Sequence, residues 1–461
     1  MTPETYTQLS ACDIASQVAA GQVSASAVIE AALAHIAATE PQANAFIHLD
    51  ADGARAAAAE LDRNLTAGQT AGPLAGVPVS VKDLVHVNGM PTSGGSAVFA
   101  GTIAAEDAVP VARLRAAGAI IIGKTTTPEF GHKPITSSPL FGATLNPWNR
   151  AYTSGGSSGG AAVSLAVRQV PLAIGTDGGG SIRIPASVCG VLGLKATLGR
   201  IPHVHAPDLF GNNSYIGPMA RSFNDLELMY RVMAGADARD PWSRHIPAAE
   251  DSGEVSTLRI GWALQVGNPS IEPEVAEAIE KSIAALAEQG FSLKPVDIDF
   301  CQYEPAFRTH LEALLASRFS VQLAQNRDRF DPSFVKTIEN GLQRSGVEVA
   351  AANASRTTLF REIEALFQDI DILLTPSLSA ASLPADTDPH GDTLINGVAS
   401  GPIRAAWYPY TFPFNLTGHP ALSMPCGWTS EGLPIGLQLA GRWYDEKSLI
   451  ALAQCINPDI A

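Results

Sequence analysis

The seven residues Gly175 to Ser181 read GTDGGGS and follow an apolar run, Val170 to Ile174, of the kind that makes a buried strand. Successive glycines bring backbone N–H groups to one point with no side chains in the way, which is what stabilising a developing oxyanion requires. Ser181 stands at the mouth of that loop, where its hydroxyl is placed to act as a nucleophile. The same residues also describe a flexible turn closed by an N-capping serine.

Two other glycine-rich segments carry chemical patterns. GGSSG at Gly155 to Gly159 fits the G-x-S-x-G nucleophile elbow, with Ser157 in the nucleophile slot. An elbow needs a strand running into it, and Asn146 to Ser154, NPWNRAYTS, holds turn formers and no apolar run. A Ser-His-Asp α/β-hydrolase built on Ser157 would draw on Asp371 and His419, at a spacing loose enough to fit many residues. GAIIIGKT at Gly118 to Thr125 matches the phosphate-loop pattern, yet Ala119 to Ile122 are themselves a strand and Thr125 to Pro128 start a helix poorly, so no nucleotide is expected. His203 and His205 lack a third ligand nearby, and His132, His310 and His419 are scattered and read as structural, so neither a metal nor a cofactor is expected.

These loops need a scaffold. Short apolar runs bounded by Gly and Pro, Val77 to Val81, Ala119 to Ile122 and Val170 to Ile174, alternate with helical stretches such as Pro110 to Ala117 and Gly160 to Val167. That alternation predicts an α/β fold, one large domain with a mixed central β-sheet covered by helices on both faces. The chain divides into an N-terminal helical region over residues 1–66 wrapping the core, a catalytic core over 67–240, a variable and mostly helical region over 257–370, and a C-terminal part of the sheet over 371–461. Pro241 to Ser256, polar and without period, is the best internal linker. Helices are expected at Glu272 to Glu288 and Tyr303 to Gln325, and strands at Asp371 to Thr375, Ala421 to Met424 and Ile435 to Leu439.

Composition narrows the class. The 461 residues are 46% hydrophobic and 16% charged, enough for a large core. The net charge of −15 repels phosphate backbones and anionic lipid, so neither nucleic acid nor membrane is an expected partner. No Lys or Arg precedes Arg55, and prolines interrupt the long uncharged stretch Ala405 to Ser430, so a cytoplasmic protein is expected. Five scattered cysteines without a CxxC read as reduced thiols filling the core.

Taken together, GVPVSVKD at Gly76 to Asp83, GGSSGG at Gly155 to Gly160, GTDGGGSIRIPAS at Gly175 to Ser187 and CGVLGLKAT at Cys189 to Thr197 resemble the amidase signature family of serine hydrolases, over most of the chain. The resemblance implies that family's fold and hydrolysis of carboxylic amides, with esters or carbamates as further substrates, through an acyl-enzyme. It implies a Ser-cisSer-Lys triad of Ser181, Ser157 and Lys82, with a cis bond between Gly156 and Ser157. The amides of Gly178, Gly179, Gly180 and Ser181 would hold the oxyanion, supported by Ser158, Asp177 and Arg183. Lys195 is a rival base by type only, in a segment that resembles a structural one; Ala196 stands where the family usually has Pro. By the same analogy, pocket walls come from Thr127 to Phe141, Ala206 to Ile216 and Gly401 to Phe414, offering Phe130, Phe141, Phe210, Tyr215, Trp407, Tyr408 and Phe412. Such a lining favours small apolar or aromatic amides. The alternative within the family is the glutaminase subunit of a tRNA-dependent amidotransferase, but Thr127 to Asn149 looks more like stand-alone bacterial amidases. A monomer or homodimer is expected.

Overall fold

The computed structural model describes the chain apart from residues 212, 245, 246, 248–253, 459 and 461. Its centre is an 11-stranded mixed sheet in the order Phe46–Leu49, Ile120–Thr125, Pro78–Lys82, Leu172–Asp177, Tyr215–Ala220, Leu192–Lys195, Ala421–Trp428, Pro434–Gly441, Ile372–Pro376, Arg259–Trp262 and Ser292–Pro295. Pro78–Lys82 runs parallel to both Ile120–Thr125 and Leu172–Asp177. All three of these strands are buried along their whole length. That explains why they read as continuous apolar runs rather than as alternating ones. Leu172–Asp177 then pairs antiparallel with Tyr215–Ala220, which makes the sheet mixed.

The N-terminal region is largely helical, as Ala25–Ala43 and Ala51–Thr66 show, each started by a side-chain cap, Ser24 and Asp50. It is not wholly so. Phe46–Leu49, between those helices, forms an edge strand antiparallel to Ile120–Thr125. Four residues between two strong helical patterns leave no period to detect, and their pairing partner is distant in sequence. The strands at Arg259–Trp262 and Ser292–Pro295 are hidden in the sequence for the same reason. The expected linker, 241–256, lies partly outside the described residues; its end, Val255–Thr257, is a 3₁₀ turn. All five cysteines are free, but only Cys189 is fully buried, and the other four are half-buried.

Helix Glu304–Asn326 packs against both Pro332–Leu342 and Gly346–Asp369, and Phe307, Leu359, Ile363 and Phe367 of the first and last share a core with Leu373, Ala421 and Ala440 of the sheet. The first two share a small core of their own, including Leu315, Phe319, Phe330, Phe334 and Ile338, and Phe130, from the segment after strand Ile120–Thr125, packs against it. Among the described residues no helix is long and apolar enough to cross a membrane.

Candidate active site

Lys82 closes the strand Pro78–Lys82 and is completely buried. Its Nζ lies 2.7 Å from Ser157 Oγ, 2.9 Å from Ser158 Oγ and 3.3 Å from the Thr176 carbonyl oxygen. Burial pushes this ammonium well below the usual lysine range, against the opposing pull of the Asp177 carboxylate. Ser158 Oγ donates to Thr176 O at 3.1 Å and accepts from Thr176 N at 3.3 Å.

The peptide bond Gly156–Ser157 is cis. Ser157 and Ser158 precede the helix Gly159–Ala166, and no strand runs into them. Ser158 N–H donates to Ser181 C=O at 3.1 Å, tying the serine loop to the glycine loop. Gly131 supports the same point from another side. It has φ +71° and a Cβ there would stand 2.9 Å from Ser157 Oγ, so only glycine leaves that hydroxyl its room.

The glycine loop follows Leu172–Asp177 directly, and the Ser181 hydroxyl opens on a cavity of about 430 Å³ that Ser157 also lines. Its amides do not all face that cavity. Gly180 N–H donates to Asp177 Oδ1 at 2.6 Å and Ile182 N–H to Asp177 Oδ2 at 3.1 Å. The expected oxyanion set therefore loses Gly180, because the Asp177 carboxylate at the head of the loop has claimed its proton. Gly178, Gly179 and Ser181 keep amides with no acceptor among the described residues.

Asp177 and Arg183 form a bidentate pair with neither side chain exposed, through Arg183 Nε to Oδ2 at 3.0 Å and a second nitrogen to Oδ1 at 3.1 Å. Arg183 also donates to Thr411 O, Gln438 Oε1 and Asn415 Oδ1, and Asn415 Nδ2 donates to Asp177 Oδ1 at 2.9 Å. Burial alone would raise the Asp177 carboxyl, but the guanidinium and the Asn415 amide hold it below its usual range. The pair is thus an internal brace for the loop and not an exposed ion pair.

Of the expected aromatic lining, Phe130 alone lies on the cavity. Trp407, Tyr408 and Phe412 are buried in the core behind the glycine loop, where Trp407 Nε1 donates to Ala380 O and Thr411 Oγ1 donates to Gly179 O. Thr411 thus backs the loop, and no residue of 401–414 lines the cavity. Tyr215 is also buried, with its hydroxyl donating to Asn415 O at 2.9 Å. Phe210 is 77% exposed, and Phe141, half-buried, uses its carbonyl to accept from Asn44. The missing wall comes from Glu304–Asn326, which supplies Phe307, His310, Leu311, Leu314 and Arg318. His203 and His205 line the cavity as well, and burial pushes His203 down to about 4, so it is neutral at pH 7. The lining is therefore part aromatic and aliphatic and part polar.

A family model described as Amidase matches residues 27–450. The chain belongs to the amidase family. It is an amide hydrolase. The chain is similar to an acylamidase of Rhodococcus erythropolis, 35% identical over 457 residues that cover 96% of this chain and 93% of that one. It is similar to one subunit of the glutamyl-tRNA(Gln) amidotransferase of Chloroflexus aggregans, 36% identical over 478 residues, covering 98% and 96%. Among solved structures it resembles a bacterial aryl acylamidase of the amidase signature family, with a TM-score of 0.91 and 29% identity, covering 98% and 96%.

Other candidate groups in the amidase are committed elsewhere. Lys195 donates to Ala196 O at 3.1 Å and its ammonium lies 3.9 Å from the Tyr215 ring centroid, away from the cavity lining. Lys124, in the phosphate-loop pattern, sits inside the strand Ile120–Thr125 and is spent on Asp83 at 3.4 Å and Pro91 O at 3.0 Å. Asp371 pairs with Arg259 and Arg442, and His419 bonds Thr417 and Glu364, so the elements of a Ser-His-Asp reading never meet Ser157. Among the described residues no group of His, Cys, Asp and Glu is arranged to hold a metal ion.

Proposed function

We propose that the amidase cleaves small, neutral amides through Ser181 as nucleophile, Ser157 as proton bridge and Lys82 as terminal base. The observation that carries this reading is the buried Lys82 Nζ at 2.7 Å from Ser157 Oγ, with Ser157 and Ser181 on one cavity. Ser158 spends its only proton on Thr176 O, so toward Lys82 it is an acceptor. A neutral amine has two protons, and Ser158 Oγ and Thr176 O account for both. Its lone pair is then left for the Ser157 hydroxyl.

In the forward step Ser181 Oγ bonds to the carbonyl carbon, its proton passes to Ser157 Oγ, and the Ser157 proton passes to Lys82. The oxyanion is held by the amides of Gly178, Gly179 and Ser181. As the C–N bond breaks, Ser157 returns a proton to the leaving amine and is refilled from Lys82, leaving an acyl-Ser181. Water then attacks the acyl carbon while its proton passes through Ser157 to Lys82; the bond between Ser181 Oγ and the acyl carbon breaks as a proton returns through Ser157 to Ser181 Oγ, releasing the carboxylic acid and the free enzyme. Leu84, Phe130, Phe307 and Leu311 favour an aromatic or aliphatic acyl group, and His203, His205 and Asn213 on the polar side of the cavity can hydrogen-bond a polar leaving group.

A serine-directed fluorophosphonate tests the assignment: label on Ser181, lost in Ser181→Ala, supports it, and label on Ser157 overturns it. A panel of aryl and alkyl amides, esters and carbamates, assayed on the isolated chain with and without a chelator, tests the substrate class. The similarity to an amidotransferase component favours a second reading, a glutaminase that works within a larger assembly. Glutamine turnover that rises on adding partner proteins, with no activity on aryl amides, would select it. We place the enzyme in the cytoplasm as a monomer or homodimer, to be checked by fractionation and by light scattering.

A further inference from the structure

Glu304–Asn326 presents a different face to a second cavity, of about 250 Å³, whose lining shares no residue with the catalytic one. Its walls come from that helix, from Pro332–Leu342, from the hairpin Asp392–Ile395 and Val398–Pro402, and from the short helix Ile403–Ala406. Three cationic side chains face it from three elements: Arg308, Lys336 and Arg404.

Arg404 is the unusual member. It is 8% exposed, yet its guanidinium makes no hydrogen bond and no ion pair with any described residue, and its Nε is sealed from solvent without a partner. The buried Arg183, by contrast, is satisfied by Asp177, Thr411, Gln438 and Asn415. A buried charge is strongly disfavoured unless it is paired. The carboxylates nearby do not serve. Glu312 is held by Arg344 at 2.7 Å and Asn340 at 3.2 Å, and the exposed Asp392 lies beyond ion-pair distance of Arg404. Arg308 is only loosely engaged, 3.4 Å from Glu304, and Lys336 has no ion pair among the described residues. His390 donates its Nε2 proton to Ser333 O at 2.8 Å and adds no charge of opposite sign.

We propose that this cavity is a binding site for a small oxyanion, a carboxylate or phosphate group, seated on the Arg404 guanidinium with Arg308 and Lys336 completing its charge. A planar guanidinium fork matches both groups bidentately, and the small volume excludes bulky polyanions.

The test is thermal unfolding of the full chain, purified in chloride, on adding inorganic phosphate or malonate at matched ionic strength. A ligand that binds only the folded state raises the midpoint progressively with its concentration. The wild type should respond to at least one anion beyond the sodium chloride control; phosphate alone, malonate alone or both then identifies the chemistry. Arg404→Met, which keeps the aliphatic stem and removes the charge, should lose the response, start from a midpoint no lower than wild type, and retain amide hydrolysis. Lys336→Met, at an exposed position, should weaken the apparent affinity about tenfold and decides the matter if Arg404→Met fails to fold. No response beyond chloride from either anion, or an Arg404→Met or Lys336→Met response equal to wild type, overturns the proposal.

Discussion

Gly180 N–H donates to Asp177 Oδ1 at 2.6 Å, so one amide of the glycine loop is turned inward while Gly178 and Ser181 line the cavity. The carboxylate that receives it is itself fixed by Arg183 and Asn415. The loop's shape thus depends on a charge pair that never touches substrate. Asp177→Asn would set an amide N–H₂ against the Gly180 or the Ile182 N–H, whichever way it turns, and leave the buried Arg183 without a counter-charge. It should lower kcat by about 10²–10³ with a small change in KM, and lower unfolding free energy by about 3–5 kcal/mol in urea. Wild-type kcat in Asp177→Asn would show that the brace is irrelevant to the loop.

Lys82 should make the rate depend on alkaline pH. Burial depresses its folded pKa below the ordinary lysine value of 10.5, so the neutral base grows as pH rises through that lowered value. The rate should climb with pH as one group deprotonates. Lys82→Ala should lose both the climb and most of the activity, and Lys82→Arg should restore neither, because a guanidinium stays charged. An unchanged alkaline limb in Lys82→Ala would require a different base.

Gly179 has no room for a side chain: a Cβ there would run into Phe307 Cζ. Gly179→Ala should therefore push the loop out of line and lower kcat/KM by about 10–100-fold, the scale of a 1–3 kcal/mol overpacking. Adding Phe307→Ala should recover part of the loss. Strict additivity of the two in a double-mutant cycle would show that they do not meet.

Glu129, beside Phe130, gives a pH effect on stability. Burial, partly offset by the hydrogen bonds from Ser96 and from Asp331 N–H, raises its carboxyl to about 7 from the ordinary 4.5. Asp331 adds to the rise and Lys133 opposes it. A raised folded pKa means stability present below the unfolded value and lost as pH climbs through about 7. At about 1.4 kcal/mol per pH unit the swing is at most about 3.5 kcal/mol. Glu129→Gln should flatten the decline between acidic and mildly alkaline pH in denaturant titrations, and parallel pH profiles would contradict this.

The strands that carry the site are legible because they are buried on both faces and read as apolar runs; GVPVSVKD points to Lys82 through its resemblance to the family's lysine-bearing segment, and the strand ends at that residue. The glycine loop is legible because a strand precedes it and Gly178, Gly179 and Gly180 stand together just before Ser181. What stays hidden depends on partners far away in the chain. Whether an amide such as that of Gly180 faces substrate or a carboxylate is a matter of loop torsions, which composition does not encode. Trp407 and Phe412 look like pocket aromatics but lie behind the loop, and Glu304–Asn326, an ordinary amphipathic helix in sequence, is the wall. Gly131 has no motif to mark it; only its approach to Ser157 explains it.

The wall helix shares a core with its neighbour Pro332–Leu342 and meets the catalytic body partly through Phe130. The proposed reacting groups and a large share of the cavity wall consequently lie on separate stretches of chain. Lys82, Ser157 and Ser181 sit on the strands and loops of the first half of the chain, whereas Phe307, His310, Leu311, Leu314 and Arg318 of the cavity wall come from residues 304–326. Drift in that helix retunes which molecules enter while the reacting groups stay as they are. A library confined to His310, Leu314 and Arg318 is thus a short route to new substrate ranges from this scaffold.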